Sequence, residues 1–160
     1  MSLKEIRKLG DQLLYEKSEP VKKNEMAEMI PSIEKMWDLI IEFRNKYSWG
    51  RAIAAPQVGL LKRIICVNTD EKYVLINPVV EYRSDEKVNI WDDCMSFPEL
   101  MVNIERHRNI NISFLDINWE KQIWVLDDDM SEVLQHELDH LDGILATDRA
   151  RDNRSFKWHW

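Results

Sequence analysis

The chain has 160 residues, of which 44% are hydrophobic and 32% charged, and its formal net charge at pH 7 is −7. This composition is typical of a single soluble globular domain covering residues 1–160. Acidic and basic residues are mixed along the chain, which argues against a nucleic-acid-binding face, and no apolar run is long enough to predict a membrane span.

The first predicted regular element is an amphipathic helix from Glu25 to about Tyr47, preceded by an irregular arm in which Pro20 breaks any helix. Apolar side chains recur through it at three- and four-residue spacing: Met26, Met29, Ile30, Ile33, Met36, Trp37, Ile40, Ile41 and Phe43. We interpret this stripe as facing the core. Pro31 suits a first helical turn, so regular helix is expected to begin near it.

After "SWGRAIAAPQVGLL" the pattern changes to short β-branched runs between polar turns: "RIICVN", "YVLINPVVEY", "VNIW" and "NINISFLDI". The first two are expected to form a hairpin through residues 68–72. A last helix is predicted to start between residues 128 and 131 and to pass His140, with Gly143 at its C-terminal cap. In the tail "NRSFKWHW", His159 is expected to be exposed rather than to be a metal ligand. This order predicts an α+β fold with mixed, mainly antiparallel sheets around a C-terminal metal-binding helix.

The segment "QHELDH" carries the H-E-x-x-H pattern of a metal-binding helix. His136 and His140 are four residues apart, so they share one helix face and can bind one ion. Glu137 can act as a base towards a water at that ion. A chance occurrence in an exposed helix is the alternative, and apolar neighbours argue against it: Val133, Leu134, Leu138 and Leu141.

The third ligand separates this site from two protease plans. No glutamate follows Glu137, which excludes the thermolysin-like plan, and Ala146 stands where metzincins have a third histidine. Cys94 in "WDDCMSFPEL" is the best candidate because a thiolate binds Fe²⁺, Zn²⁺, Ni²⁺ or Co²⁺ well. His107, between two arginines, is a weaker candidate, and Cys66 is expected to be a buried strand residue.

The cysteine count also bears on the compartment. Two cysteines are too few for a disulfide framework, and the N-terminal segment "MSLKEIRKLGDQLL" lacks the apolar region of a secretory signal. We therefore expect a cytoplasmic protein with free thiols.

Three segments match, in order, the motifs of one known family. The segment "QHELDHLDG", residues 135–143, fits Q-H-E-x-D-H-L-x-G at every position. The segment "GRAIAAPQVG", residues 50–59, fits G-x-G-φ-A-A-x-Q-x-G except that Ala52 replaces the second glycine. The segment "DDCMS", residues 92–96, fits E-G-C-φ-S loosely, with aspartates for the glutamate and the glycine. With the opening "LGDQLLYEKSEPV", these matches cover nearly the whole chain, which therefore resembles a peptide deformylase.

The resemblance implies a metal-dependent hydrolase that removes the formyl group from the N-terminal methionine of nascent peptides. One divalent ion, usually Fe²⁺ in this family, would be bound by Cys94, His136 and His140. Glu137 would act as general base towards water and later as general acid. The partners would be the formylated nascent peptide and, as a further candidate, the ribosome.

The resemblance also assigns residues around the ion. The side-chain N–H of Gln57 and the backbone N–H of Met95 would stabilise the oxyanion that forms on the formyl carbon. Three residues would line the substrate site: Gly50, Ala52 and Asp92. Asp92 is also expected to brace the site against Arg106.

Five positions near the expected substrate site depart from the family pattern. Ala52 and Asp93 replace glycines, Asp92 replaces a glutamate, and Arg51 and Glu132 lie where apolar residues are common. These changes leave the ligands, the base and the oxyanion donors intact, but they bear on substrate choice. Three hypotheses stay open: a deformylase for formyl-methionyl peptides, a divergent enzyme for another formamide or amide, and a catalytically weak metal-binding module.

Overall fold

The computed structural model describes residues 2–159 and contains two α-helices and eight β-strands within them. The helices are α1 (Met26–Tyr47) and α2 (Asp128–Leu141). The strands are β1 (Ala52–Ala54), β2 (Ile64–Asn68), β3 (Lys72–Arg83), β4 (Lys87–Asp92), β5 (Leu100–His107), β6 (Asn109–Leu115), β7 (Lys121–Asp127) and β8 (Phe156–Trp158). Short 3₁₀ turns fill much of the arm before α1, where no regular helix was expected.

The strands form two sheets with antiparallel neighbours. One has the order β1-β2-β3-β6-β7, which leaves β1 at an edge, and the other has the order β4-β5-β8. The predicted hairpin at residues 68–72 joins β2 to β3. A single parallel bridge between Glu19 and Lys62 ties the arm to the body. The predicted α+β fold with mainly antiparallel sheets is confirmed.

The five-stranded sheet lies between the two helices. Side chains alternate between the faces of a strand, so β2 contributes to two cores. Ile64 and Cys66 pack with the apolar stripe of α1, whereas Ile65 and Val67 pack with Leu134 and its neighbours on α2. Cys66 is fully buried, as expected, and burial raises the pKa of its thiol. The sheet thus provides the apolar surface on which α2, the helix with the H-E-x-x-H motif, packs.

The bounds of α1 agree with the predicted helix from Glu25 to Tyr47, but its start does not lie near Pro31. The helix begins at Met26, and Pro31 lies inside its second turn on the exposed side. Pro31 is the sixth residue of the helix, beyond the four positions whose N–H groups lack an intrahelical partner, so it costs the helix one hydrogen bond. The apolar stripe continues past the proline into the core, which keeps the segment helical.

The end of α2 follows the prediction. Gly143 has φ +73° and donates its N–H to the carbonyl of His140 at 3.2 Å, as a C-terminal glycine cap does. A Cβ at this position would lie 2.5 Å from the Tyr15 carbonyl oxygen. Glycine therefore lets the N-terminal arm cross closely over the end of the metal-binding helix. Neither helix of residues 2–159 is long and apolar enough to cross a membrane.

Candidate metal centre

Three buried donor atoms meet between α2 and the turn that follows β4. His136 and His140 point their Nε2 atoms at each other across 3.2 Å, and the Cys94 Sγ lies 3.4 Å from the Nε2 of His140. All three side chains are buried, and their donor atoms lie within 4.8 Å of one another. The structure therefore brings together the three residues that the sequence analysis selected as ligands.

A hydrogen bond to Asp92 orients the first of these histidines. The Nδ1 of His136 lies 2.9 Å from the Asp92 carboxylate, so it donates its proton there and leaves the Nε2 lone pair free. Burial alone would raise the pKa of Asp92, but His136 and Arg106 outweigh it and lower that pKa to about 2. An ionised carboxylate behind a histidine is the arrangement that fixes metal ligands in proteins.

Arg106 extends this support behind the helix. Its guanidinium is 3% exposed, and it donates to Asp92 at 3.0 Å and to Asp139 at 2.5 Å. Asp139 also accepts two hydrogen bonds from Arg149, at 2.6 and 2.8 Å. The predicted contact between Asp92 and Arg106 is therefore present, and it belongs to a longer chain of charges that holds α2 against β5.

The donor set suits a divalent cation. Two imidazole nitrogens and a sulfur face one another at 3.2 and 3.4 Å, and burial with the neighbouring His136 lowers the pKa of His140 well below its usual range. Asp92 and Cys94 lie close to His136 and raise its pKa despite burial. The same two groups therefore also favour a metal cation beside His136. A thiolate with two neutral imidazoles is a ligand set for Fe²⁺, Zn²⁺, Ni²⁺ or Co²⁺.

Glu137 lies next to these ligands in the same buried region. Its side chain is 5% exposed, and its Oε2 has no hydrogen-bond partner among residues 2–159. Burial, with some repulsion from nearby aspartates, raises the pKa of this carboxyl to about 7. A carboxyl group with such a pKa can accept and release a proton near neutral pH.

Two hydrogen-bond donors border the same space. Gln57, 1% exposed, accepts the Ala54 N–H at 2.9 Å, and this bond points its Nε2 at Ser96 Oγ, 3.1 Å away, and at Cys94 Sγ, 3.6 Å away. The backbone N–H of Met95 has no acceptor among the described residues. Both donors therefore lie beside the candidate ligands. The role of Ser96 in orienting Gln57 had no separate signal in the sequence.

A cleft with a volume of about 210 Å³ leads to this centre. Gly50 and Ala52 on one side and Asp92 on the other line it, as expected of substrate-site residues. Gly50 has φ +116°, and a Cβ there would lie 2.9 Å from both Met95 and Phe43, so the backbone needs glycine at this point. Ala52 is only 6% exposed, and its methyl group packs in the core between the five-stranded sheet and α2.

Three departures from the family pattern also lie at the cleft. Arg51 forms a bidentate ion pair with Asp129 at the start of α2. Glu132 lines the cleft one helical turn before His136, and it has no hydrogen bond or ion pair within the described residues. Burial raises the pKa of the Asp93 carboxyl, and a hydrogen bond with a histidine opposes that rise.

That histidine is His159, which is half-buried at 24% exposure rather than exposed, and which lies outside the cluster of candidate ligands, as expected. Its Nε2 lies 3.0 Å from Asp93, and its ring stacks on Trp49 with the centroids 4.9 Å apart. The contacts join parts of the chain distant in sequence, so no local pattern predicts them. His107, the weaker candidate ligand, lies outside the donor cluster, with its Nδ1 2.7 Å from the Ser84 carbonyl oxygen.

Replacement of Asp92 by asparagine is expected to weaken metal binding by about ten- to a hundredfold, because the carboxylate that orients His136 loses its charge. Competition with a chromophoric chelator for Zn²⁺ or Co²⁺ measures the change in dissociation constant. Asp85→Asn, an exposed change in the turn after β3, serves as the control. Equal affinities in the two variants would contradict the assigned role of Asp92.

The comparisons with known proteins agree on one family. The model of the polypeptide deformylase family matches residues 3–156. A peptide deformylase of Finegoldia magna is 37% identical over 155 residues, which cover 94% of this chain and 91% of the relative. The structure of the Thermotoga maritima peptide deformylase superposes with a TM-score of 0.82 at 31% identity, covering 92% of this chain and 97% of that one. A peptide deformylase from Synechococcus elongatus, solved in complex with actinonin, also gives a TM-score of 0.82, at 29% identity over 92% of this chain and 79% of its own. The chain therefore belongs to the peptide deformylase family.

Proposed function

We propose that this chain removes the formyl group from formyl-methionyl nascent peptides at a centre formed by Cys94, His136 and His140. Family membership makes it a deformylase and implies a divalent metal. The convergence of the three buried donor atoms within 4.8 Å is the observation that carries the placement of the site. We propose Fe²⁺ as the native ion, since the thiolate and imidazole donors accept it, and the cytoplasm as the compartment.

A bound divalent ion would lower the pKa of a water in the cleft and polarise the formyl carbonyl. Glu137 takes a proton from that water while the water oxygen attacks the formyl carbon. The C–N bond then breaks, and Glu137 returns the proton to the leaving amine, which gives formate and a free N-terminus. The pKa of about 7 suits a carboxyl that must be base and acid in one turnover.

The developing oxyanion receives hydrogen bonds from Gln57 and Met95. The side-chain amide of Gln57 is held with its N–H groups towards Cys94 because its oxygen is engaged by Ala54. The N–H of Met95 is a second donor beside the same thiol. Donors fixed in advance stabilise a transition state without the cost of reorientation.

The peptide binds as an added strand along β1. This strand is at an edge of its sheet and pairs only with β2, so its other edge can offer N–H and C=O groups to an extended chain. Gly50 and Ala52 lie at its start and line the cleft. A peptide bound along this edge, with its formyl group in the cleft, has that group close to the three ligands.

The test is release of formate from formyl-Met-Ala-Ser by protein purified without oxygen and loaded with Fe²⁺ or Ni²⁺. We expect turnover by the loaded protein, loss of turnover after treatment with a chelator, and recovery when the metal is restored. Stoichiometric metal with no formate from this peptide would contradict the proposed substrate.

A second candidate substrate class is favoured by one observation. Glu132 brings into the cleft a carboxyl group that has no hydrogen bond or ion pair among residues 2–159 and is attracted to Arg51 only at longer range. This group disfavours a purely apolar side chain in the cleft. Another formamide or amide, with a polar group near the reacting carbonyl, fits this feature. A panel of N-formyl and N-acetyl peptides separates the two candidates, since only the first predicts the highest kcat/KM for formyl-methionine.

A further inference from the structure

We propose that His159, next to the end of the chain, is a positioning residue of the active-site cleft. It joins Trp49 on one side of the cleft to Asp93 on the other, and so holds the two sides at the separation that a formyl peptide requires. The inference rests on the proposed deformylase function of this cleft and adds a residue to it that lies outside the three motifs.

The contacts of His159 connect the two sheets. Trp49 lies just before β1 of the five-stranded sheet, and Asp93 directly follows β4 of the three-stranded sheet. The His159 ring lies almost parallel to that of Trp49, at an interplanar angle of 8°, while its Nε2 is bonded to Asp93 at 3.0 Å. Both contacted residues line the cleft, so one side chain reaches both sides from behind.

The Trp49 ring is also fixed from its other side. Its centroid lies 4.8 Å from that of Phe43 in an edge-to-face arrangement, and Phe43 is 1% exposed in the core beneath α1. A ring that contacts both His159 and a buried aromatic has little freedom to move. His159 therefore helps to fix the Trp49 ring, which lines the cleft.

The tail is anchored well enough to act in this way. Strand β8 pairs with β5 in the register Leu100–Trp158, and the N–H of His159 bonds to the Glu99 carbonyl at 2.9 Å. Lys157 places its Nζ 4.1 Å from the ring centroid of Trp91, a third residue that lines the cleft. Lys157 and His159, two residues apart in the tail, therefore both contact cleft residues, which a tail with only a packing role does not require.

The pairing of Asp93 also matters for substrate. Asp93 lies beside the ligand Cys94, and within residues 2–159 the bond with His159 is the hydrogen bond that holds its carboxylate. Arg51, which also lines the cleft, acts on this carboxylate only at longer range. Without His159 the carboxylate is free to turn towards the path of the peptide, where it repels backbone carbonyl groups.

The experiment uses the full-length, metal-loaded enzyme and three substitutions of His159. Alanine removes both contacts, phenylalanine keeps a ring that can stack on Trp49, and glutamine keeps a donor for Asp93. For formyl-Met-Ala-Ser we expect His159→Ala to raise KM by about five- to tenfold with kcat and bound metal unchanged, and the other two variants to give smaller increases. Arg154→Ala, an exposed change in the same tail, is the control and is expected to match the wild type.

Hydrogen exchange provides a readout that does not depend on turnover. We expect the backbone amides of residues 46–53 and 90–96 to exchange faster in His159→Ala than in the wild type, and at the wild-type rate in Arg154→Ala.

The possible outcomes separate this inference from the proposed function. An unchanged KM in His159→Ala overturns the inference, and so does an equal fall of kcat and metal content in all three variants, because that pattern indicates a general loss of structure. If the wild type releases no formate, the proposed function fails. Hydrogen exchange then decides the inference alone: faster exchange at both segments supports it, and identical exchange overturns it.

Discussion

Replacement of Glu137 by alanine is expected to lower kcat for formyl-Met-Ala-Ser by about 10²- to 10⁴-fold, the usual contribution of a general acid–base residue. Glu137 lies beside the ligands, and no other buried carboxyl near them lacks partners within the described residues: Asp92 is bonded to His136 and Arg106. Glu137 is therefore the buried carboxyl best placed to accept the proton of the attacking water. The measurement is formate release at saturating peptide by protein with one metal per chain.

The control for this prediction is Glu34→Gln, which removes an exposed carboxylate from α1 and is expected to leave kcat unchanged. Glu137→Gln keeps the shape of the side chain without its proton-accepting oxygen and should match the alanine variant. A glutamine variant with near wild-type kcat would show that Glu137 only fills space.

The pH dependence of kcat follows from the same residue. Burial raises the pKa of the Glu137 carboxyl to about 7, and a nearby divalent cation opposes this rise because it stabilises the carboxylate. The base acts when it is deprotonated, so activity falls as the pH drops through its pKa. We expect an acidic limb with its midpoint at or below about 7.

Replacement of Gln57 by leucine is expected to lower kcat by about 10²- to 10³-fold with little change in KM, since the lost N–H acts on the oxyanion rather than on the bound peptide. The substitution also removes the acceptor of the Ala54 N–H, at a cost of about 1–3 kcal/mol of folding free energy. Metal content and the thermal unfolding midpoint must therefore be measured with the kinetics.

Two variants separate the catalytic effect from the structural one. Gln12→Leu, an exposed change in the N-terminal arm, is expected to behave as the wild type. Gln57→Glu keeps an acceptor for Ala54 but lacks the donor, so it should stay folded and lose most of its turnover. A KM that rises while kcat stays constant in Gln57→Leu would place this residue in peptide binding instead.

The candidate metal-binding helix and the candidate third ligand can be predicted because their signal is short-range or chemically narrow. Residues four apart share a helix face whatever the rest of the fold does, so His136 and His140 can be placed together from spacing alone. Cys94 follows from elimination among few candidates: the structure has Cys66 in the core and His107 bonded to Ser84.

Four strands are not predicted by the sequence patterns, and each has a physical reason. β1 contains two alanines in three residues, and alanine is depleted in strands. β5 buries Arg106 among its apolar residues, and β7 leaves Ile123 and Val125 exposed, so polarity does not report burial in either. β8 is short, and all three of its residues are exposed.

The contacts around Asp93 show a different limit. An aspartate at a glycine position beside a candidate metal ligand has no predictable partner in its own segment, yet the structure pairs it with His159 in the tail. The pairing spans 66 residues, and no periodicity or motif links the two positions. Only the folded arrangement of β8 against β5 brings them together.

The free edge of β1 has a consequence for the range of proteins that this enzyme serves. Every residue except proline offers the same backbone N–H and C=O groups. A peptide bound through backbone hydrogen bonds is therefore bound whatever side chains follow its first residue. Newly made proteins share only their formylated start. We therefore expect the open edge of β1 to let one enzyme bind the start of any newly made protein. Substrate selection is then limited to the groups next to the formyl carbon.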